Sequence, residues 1–430
     1  MEPKPALGHT IQQAAALLLG LLVAACLTAP SQAAGELPQS SELPAIARPL
    51  GQAVDRSGMG YEIFSHDTSG AYVCPPQLVQ RVPARCPAYS PGARQVRIAY
   101  LSQRLPDPLP ALQIEPLPQP EGSITRYLYG QIINYPAPTY RHPAEAEAGL
   151  PPLRVFRSNI NWVSVVGQVE YNGQVWVQIN RDEYIAPEHI TFPEPSRFQG
   201  IRLAETPSHP FAWLRRDLET APQPGARPAG EVLARRTLVT VFAVEEVDGA
   251  RWLMVGPDQW INHAYVSMVT PDSAPQGVSP GAKWIEVDTY EQTLAAYEGD
   301  RLVYATLITA GKADLTPLGL FRIFRKVRAA LMESYDRSMD DEYWFYLEDV
   351  EHAQFFNERI SLHAAYWHDY FGTRRSNGCV NLTPLDARWL YAWTDPQLDP
   401  GGSWSTPESA GEGQTWVWVR HSGPAGVHKP

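Results

Sequence analysis

Residues 360–385 read ISLHAAYWHDYFGTRRSNGCVNLTPL. One thiol, Cys379, stands there in a Ser-Asn-Gly-Cys-Val-Asn turn, and an imidazole, His363, lies sixteen positions upstream at the end of a short apolar run. A glycine directly before a cysteine lets the backbone turn sharply and brings two N–H groups close to the sulfur, which suits an oxyanion hole. A thiol paired with an imidazole is the usual source of a thiolate nucleophile near neutral pH. Most free cysteines, however, are small buried hydrophobes, and lone Cys/His pairs transfer poorly between families. The neighbouring residues have to decide.

Three further pieces precede the turn, in order. Residues 283–289 alternate as a strand (Ile285, Val287, Thr289) and lead into Gln292-Thr293-Leu294; Glu298-Gly299-Asp300 then makes a hairpin tip; Thr316-Pro317-Leu318-Gly319-Leu320-Phe321 follows Gly311. Together with Ser376, Gly378, Cys379, Val380 and Asn381, this order resembles the L,D-transpeptidases, cysteine enzymes that cross-link bacterial peptidoglycan. Two residues depart from their pattern. Asn377 stands where the Ser-His-Gly-Cys motif has histidine, and Ala364 stands where a small glycine often follows the base histidine. The resemblance implies Cys379 as nucleophile, His363 as general base and the Gly378 backbone as part of an oxyanion hole. It implies substrate contacts among Ser376, Asn377, Asn381, Arg375, His368, Tyr366, Thr316 and Met332. It implies peptidoglycan stem peptides as partners and no metal or organic cofactor. Two rival functions stand beside it: an L,D-carboxypeptidase that resolves the same acyl-enzyme with water, and a wall-binding lipoprotein whose catalytic domain has decayed.

The chain has 430 residues, enough for two to four domains, and its formal charge of −11 argues against nucleic acid as a partner. Its 41 prolines favour short strands and long connections over long helices. Residues 11–26 form an apolar run too short to span a bilayer stably, which reads as an export signal. It ends in Val23-Ala24-Ala25-Cys26, which looks like a lipobox with Cys26 as the lipidated residue; Ser31-Gln32-Ala33 is a competing site for ordinary cleavage. Either reading places the rest outside the cytoplasm, in the cell envelope or secreted. In such a compartment Cys74 and Cys86 are close enough in sequence for a small disulfide loop. Cys379 is then left alone.

The expected fold is mainly β. A C-terminal L,D-transpeptidase-type β-sandwich, with a short helix after the nucleophile loop, follows two small SH3-like β-barrels. The boundaries are a signal region 1–33, an N-terminal segment 34–123, barrels at 124–200 and 201–271, a linker 272–281, the catalytic domain 282–421 and a frayed tail 422–430. The barrels rest on a repeat at a shift of 76 positions, which aligns Trp176 with Trp252, Asp182 with Asp258, Tyr184 with Trp260, Ile185 with Ile261 and Ile190 with Val266. Upstream, Asn172-Gly173 aligns with Asp248-Gly249, and both dipeptides are strong hairpin turns. Residues 95–101 are expected as a strand and the proline-rich stretch 105–121 as a stiff spacer. Residues 324–357, rich in Met, Tyr and Trp, are expected to fold over the site as a lid. Thr383-Pro384-Leu385-Asp386 reads as a helix start, with Thr383 at the N-cap.

Overall fold

The computed structural model describes residues 91–118, 122–157, 160–179, 182–334, 337–338, 341, 344–398, 403–405 and 413–430. Cys26, Cys74 and Cys86, with the expected export signal, lie outside the described residues. The protein is mainly β. Two sheets face each other in the C-terminal half. The first runs in the order Ile114–Glu115, Ile201–Leu203, Arg301–Leu307, Thr293–Glu298, Lys283–Asp288, Trp416–Arg420, Gly319–Arg322. The second carries Val380–Leu382, Ile360–Ala364 and Phe345–Asn357 in succession. Ile285, Val287, Leu294 and Val417 of the first sheet pack against Phe356, Leu362, Val380 and Leu382 of the second in one buried cluster. The helix Pro384–Trp393 closes that core with Ala387 and Leu390. Its start is as expected: Thr383 Oγ1 accepts from the Asp386 N–H at 3.1 Å.

The repeat appears element by element. Ile160–Tyr171, Gln174–Ile179, Glu183–Ile185, a 3-10 turn and Ile190–Thr191 in the first unit answer Ala243–Val247, Ala250–Gly256, Gln259–Asn262, a 3-10 turn and Val266–Val269 in the second. Asn172 and Asp248 take φ of 49° and 52°, and their glycines are also positive. These are the left-handed conformations that a tight two-residue hairpin turn demands.

Both units are packed onto the C-terminal part of the chain. Phe211, Trp213 and Val269 of the second unit bury the outer face of the first sheet, against Trp284, Ala295, Tyr297 and Leu302. This is why the strand at 283–288 is buried on both faces rather than alternating. The first unit is joined edge to edge: Ile160–Tyr171 pairs in parallel with Phe345–Asn357, Leu347 opposite Trp162.

Four expectations are corrected. Residues 91–104 form a helix, not a strand, because Ile98 and Leu101 share one helical face that, with Leu105 just past the helix end, docks on Met254 and Trp260. The proline-rich stretch is extended but is no free spacer, since Ile114–Glu115 pairs with Ile201–Leu203 at the edge of the first sheet. The expected lid is a long hairpin, Arg325–Glu333 with Phe345–Asn357, whose far end is held by the first unit; Tyr335, Met339 and Tyr343 lie outside the described residues. The tail is docked rather than frayed: Lys429 has a side chain 2% exposed and donates to the Val266 carbonyl at 2.9 Å and to Glu291.

Candidate active site

Two neighbouring parallel strands bring the histidine and the cysteine to one face. Ile360–Ala364 pairs with Val380–Leu382, Leu362 opposite Val380 and His363 opposite Asn381. Continuing that register by one step sets Ser361 beside Cys379, and Ser361 Oγ lies 3.8 Å from the sulfur. Because side chains alternate along a strand, Ser361, His363, Cys379 and Asn381 point the same way. The thiol is 3.8 Å from the Arg359 carbonyl. A carbonyl only accepts, so this contact suits a protonated sulfur. Burial pushes the Cys379 thiol up, against the opposing hydrogen bonds from Ser361, although the residue keeps a partly exposed edge.

His363 is 2% exposed. Burial holds its pKa down to about 4, against the opposing pull of the Ala364 carbonyl. His363 Nδ1 lies 3.0 Å from that carbonyl oxygen, so the neutral ring carries its proton on Nδ1 and presents a bare Nε2. Trp367 stacks over the ring at 5.7 Å between centroids. Among the described residues no hydrogen bond joins the His363 ring to Cys379. The resting pair is therefore neutral thiol and neutral imidazole, not the ion pair that a low-pKa cysteine would make.

The turn before Cys379 is rigidly braced. Gly378 has φ +124°, and a Cβ there would stand 3.0 Å from the Leu315 carbonyl oxygen. Its carbonyl accepts from Thr316 Oγ1 at 2.8 Å, and the same hydroxyl accepts from the Gly311 N–H at 2.8 Å. The Gly378 N–H is engaged by Ser376 Oγ at 3.1 Å, and that hydroxyl in turn donates to the Cys379 carbonyl. The strip 309–312 backs the turn: Thr309 pairs with Asn381 and Gly311 with Ser376. Gln292 Oε1 accepts from the Ala310 N–H at 2.7 Å, and Gln292 Nε2 donates to the Thr289 carbonyl at 2.7 Å. Arg374 locks the outside, donating from Nε to the Gly311 carbonyl at 3.0 Å and from Nη2 to Asp314 at 2.8 Å.

The remaining residues named from sequence are distributed unevenly. His368 joins the site, its Nε2 3.0 Å from the Asn381 amide nitrogen, with burial, then the neighbouring His363, holding its pKa down to about 4. Thr316 and Ser376 frame the nucleophile turn. Asn377 and Arg375 are exposed, and the Arg375 guanidinium lies 3.7 Å over the Tyr370 ring. Tyr366 and Met332 sit instead in an aromatic cluster with Tyr129 and Trp162 of the first unit. The Tyr366 hydroxyl donates to the Glu348 carbonyl at 2.6 Å, which ties it to the hairpin. Sequence reading missed Ser361 and the Ala364 carbonyl, which nothing local marks. It noted Gln292 only as part of a pattern.

Residues 282–419 match the family model YkuD, the L,D-transpeptidase catalytic domain. Residues 282–419 thus carry an L,D-transpeptidase-type catalytic domain. Among relatives, the Bacillus subtilis protein named "Putative L,D-transpeptidase YciB" is 29% identical over 120 residues, which are 25% of this chain and 59% of the relative. Among solved structures, an L,D-transpeptidase from Mycobacterium smegmatis is 17% identical, with 51% of this chain and 89% of that one covered at a TM-score of 0.27. Another, from Stackebrandtia nassauensis, is 28% identical, with 36% and 60% covered at a TM-score of 0.23.

Proposed function

We propose that this protein is a peptidoglycan L,D-transpeptidase working by cysteine acyl transfer outside the cytoplasm. One observation carries the reading: the parallel pairing of Ile360–Ala364 with Val380–Leu382 sets a buried imidazole, its Nδ1 proton committed to the Ala364 carbonyl, beside the strand that follows Cys379. In the first step His363 Nε2 takes the thiol proton as the sulfur attacks the carbonyl of a stem tetrapeptide, ahead of its terminal D-alanine. The oxyanion is met by N–H groups of the nucleophile turn. An oxyanion that uses the Gly378 N–H has to displace Ser376 Oγ. The C–N bond breaks, and D-alanine leaves with the proton held by the imidazolium. In the second step an amine on another stem attacks the thioester, the C–S bond breaks, and the amine proton returns by way of His363 to the sulfur. Anchoring through Cys26 and an envelope location belong to the same proposal.

Incubation with a carbapenem-type β-lactam, read by intact mass, tests it. One adduct is expected on the parent, none on Cys379→Ala, and little on His363→Ala. An adduct of equal yield on Cys379→Ala sinks the mechanism. Product analysis with and without an amine acceptor separates cross-linking from hydrolysis. Sacculus binding without any adduct leaves only a wall-binding role.

A further inference from the structure

A cleft of 530 Å³ opens where the two small units meet the loop 366–373. Gln131 and Trp162 come from the first unit, Glu194 from the connection, Arg215 and Arg235 from the second unit, and Trp367 and His368 from the catalytic half. Cys379 does not line it. Trp367 and His368 border both the cleft and the reacting groups: Trp367 stacks on His363 and His368 contacts Asn381. The size is that of a small-ligand site, and junctions between domains are where such sites form.

The charges lining the cleft are not all cancelled. Arg235 and Arg236 share Asp369. Arg215 is already engaged: it donates to the carbonyls of Gly372, Ala264 and Pro430 and lies in the field of the Glu291 carboxylate. Glu194 is exposed and has no ion-pair partner among the described residues. The cleft therefore offers surplus positive charge at Arg235, which shares one carboxylate with Arg236, and an exposed anion at Glu194, beside aromatic walls. A ligand that carries both a carboxylate and an ammonium group satisfies both.

The geometry points to this cleft as the subsite for the amine-bearing acceptor peptide, built largely from the two N-terminal units; this rests on the acyl-transfer reading above. Arg235 holds a carboxylate of the acceptor, and Glu194 draws its ammonium group toward the site. Trp367 and His368 form the wall along which the amine approaches the thioester. The consequence is a division of labour. Residues of the catalytic half make the acyl-enzyme, and the small units decide whether an amine or water resolves it.

Two full-length variants test this, Glu194→Lys and Gln131→Phe. Neither residue belongs to the catalytic half. In both, carbapenem acylation of Cys379 is expected to match the parent, while the ratio of cross-linked to hydrolysed product falls about tenfold, the scale of one lost charge-assisted contact. Alongside, a synthetic stem tripeptide ending in a diamino acid is titrated by calorimetry into Cys379→Ala protein, with and without Glu194→Lys. Binding weakened about tenfold by Glu194→Lys supports the subsite. An unchanged product ratio in both variants overturns it, and so does absence of tripeptide binding to the Cys379→Ala protein. Failure of the parent to acylate, with tripeptide binding intact and sensitive to Glu194→Lys, removes the enzymatic reading and leaves the cleft as a peptide-binding site.

Discussion

His363 sets the pH behaviour of the site. Its ordinary pKa of 6.5 is lowered to about 4 by burial, so the folded state binds fewer protons than the unfolded chain between those values. The associated stability is present above pH 6.5 and is lost as the pH falls through about 4. The same titration removes the base. Acylation by a carbapenem, followed by stopped-flow, is expected to be level through neutral pH and to fall with a single-proton limb near pH 4. An acid limb near 6.5 argues against a buried base. Gly378 is the other decisive residue. At φ +124° an L side chain is strained, and a methyl group also meets the Leu315 carbonyl. Gly378→Ala is expected to cost at least about 1 kcal/mol of stability and to abolish acylation, read by thermal melting and adduct mass together. Asn377 is the contrasting case. It is exposed, so Asn377→His is expected to fold normally and to acylate at a similar or higher rate.

At the scale of the elements, the nucleophile turn depends on segments distant in sequence. Thr316 Oγ1 bridges the Gly311 N–H and the Gly378 carbonyl. Thr316→Val keeps the shape and leaves both groups buried without that partner, which costs about 1–3 kcal/mol; chemical denaturation measures it. The helix Pro384–Trp393 is held from its far end by Lys326, which is fully buried and donates to the carbonyls of Tyr391, Thr394 and Pro396 at 2.8, 2.9 and 3.1 Å. A cation at a helix C-terminus meets the negative end of the helix dipole. Burial still lowers its pKa to about 8. Lys326→Met is expected to destabilise by about 3 kcal/mol, because the carbonyls lose their donor. At its other end the helix is tied outward, where Asp386 accepts from the Gly200 N–H at 2.9 Å and from the Tyr304 hydroxyl at 2.7 Å.

At the scale of the whole molecule, the catalytic half shares both its sheets with what precedes it. Ile201–Leu203 extends the first sheet and Ile160–Tyr171 continues the second. A fragment beginning at residue 282 bares the edge of Arg301–Leu307, the edge of Phe345–Asn357 and the apolar face under Trp284 and Tyr297. Unpaired edges template aggregation. The fragment is expected to associate in sedimentation velocity, where the chain from residue 91 stays dispersed. The docked tail adds a second clasp. Burial alone would raise the Glu291 carboxyl, but His263 and Lys429 hold it down to about 2. Its contribution is present above its ordinary value of 4.5 and is lost as the pH falls through about 2.

What the sequence determined was local in origin. The Gly-Cys turn, the Thr383 cap, the hairpin at Gly299-Asp300 and the two Asn-Gly and Asp-Gly turns each declare themselves within a few residues, because backbone sterics and capping act over that range. The 76-residue shift declared the repeated unit in the same way. What the sequence left open was decided by contacts between distant segments. Residues 95–101 contain apolar positions that fit strand or helix, and only the face offered by Met254 and Trp260 selected the helix. The hairpin at 325–357 has lid-like composition, but a parallel edge supplied by residues 160–162 fixed its far end. The thiol looked ready to ionise beside a histidine. The tertiary structure instead buried the imidazole and left the thiol only a partly exposed edge, so desolvation keeps them neutral until a substrate draws the proton across.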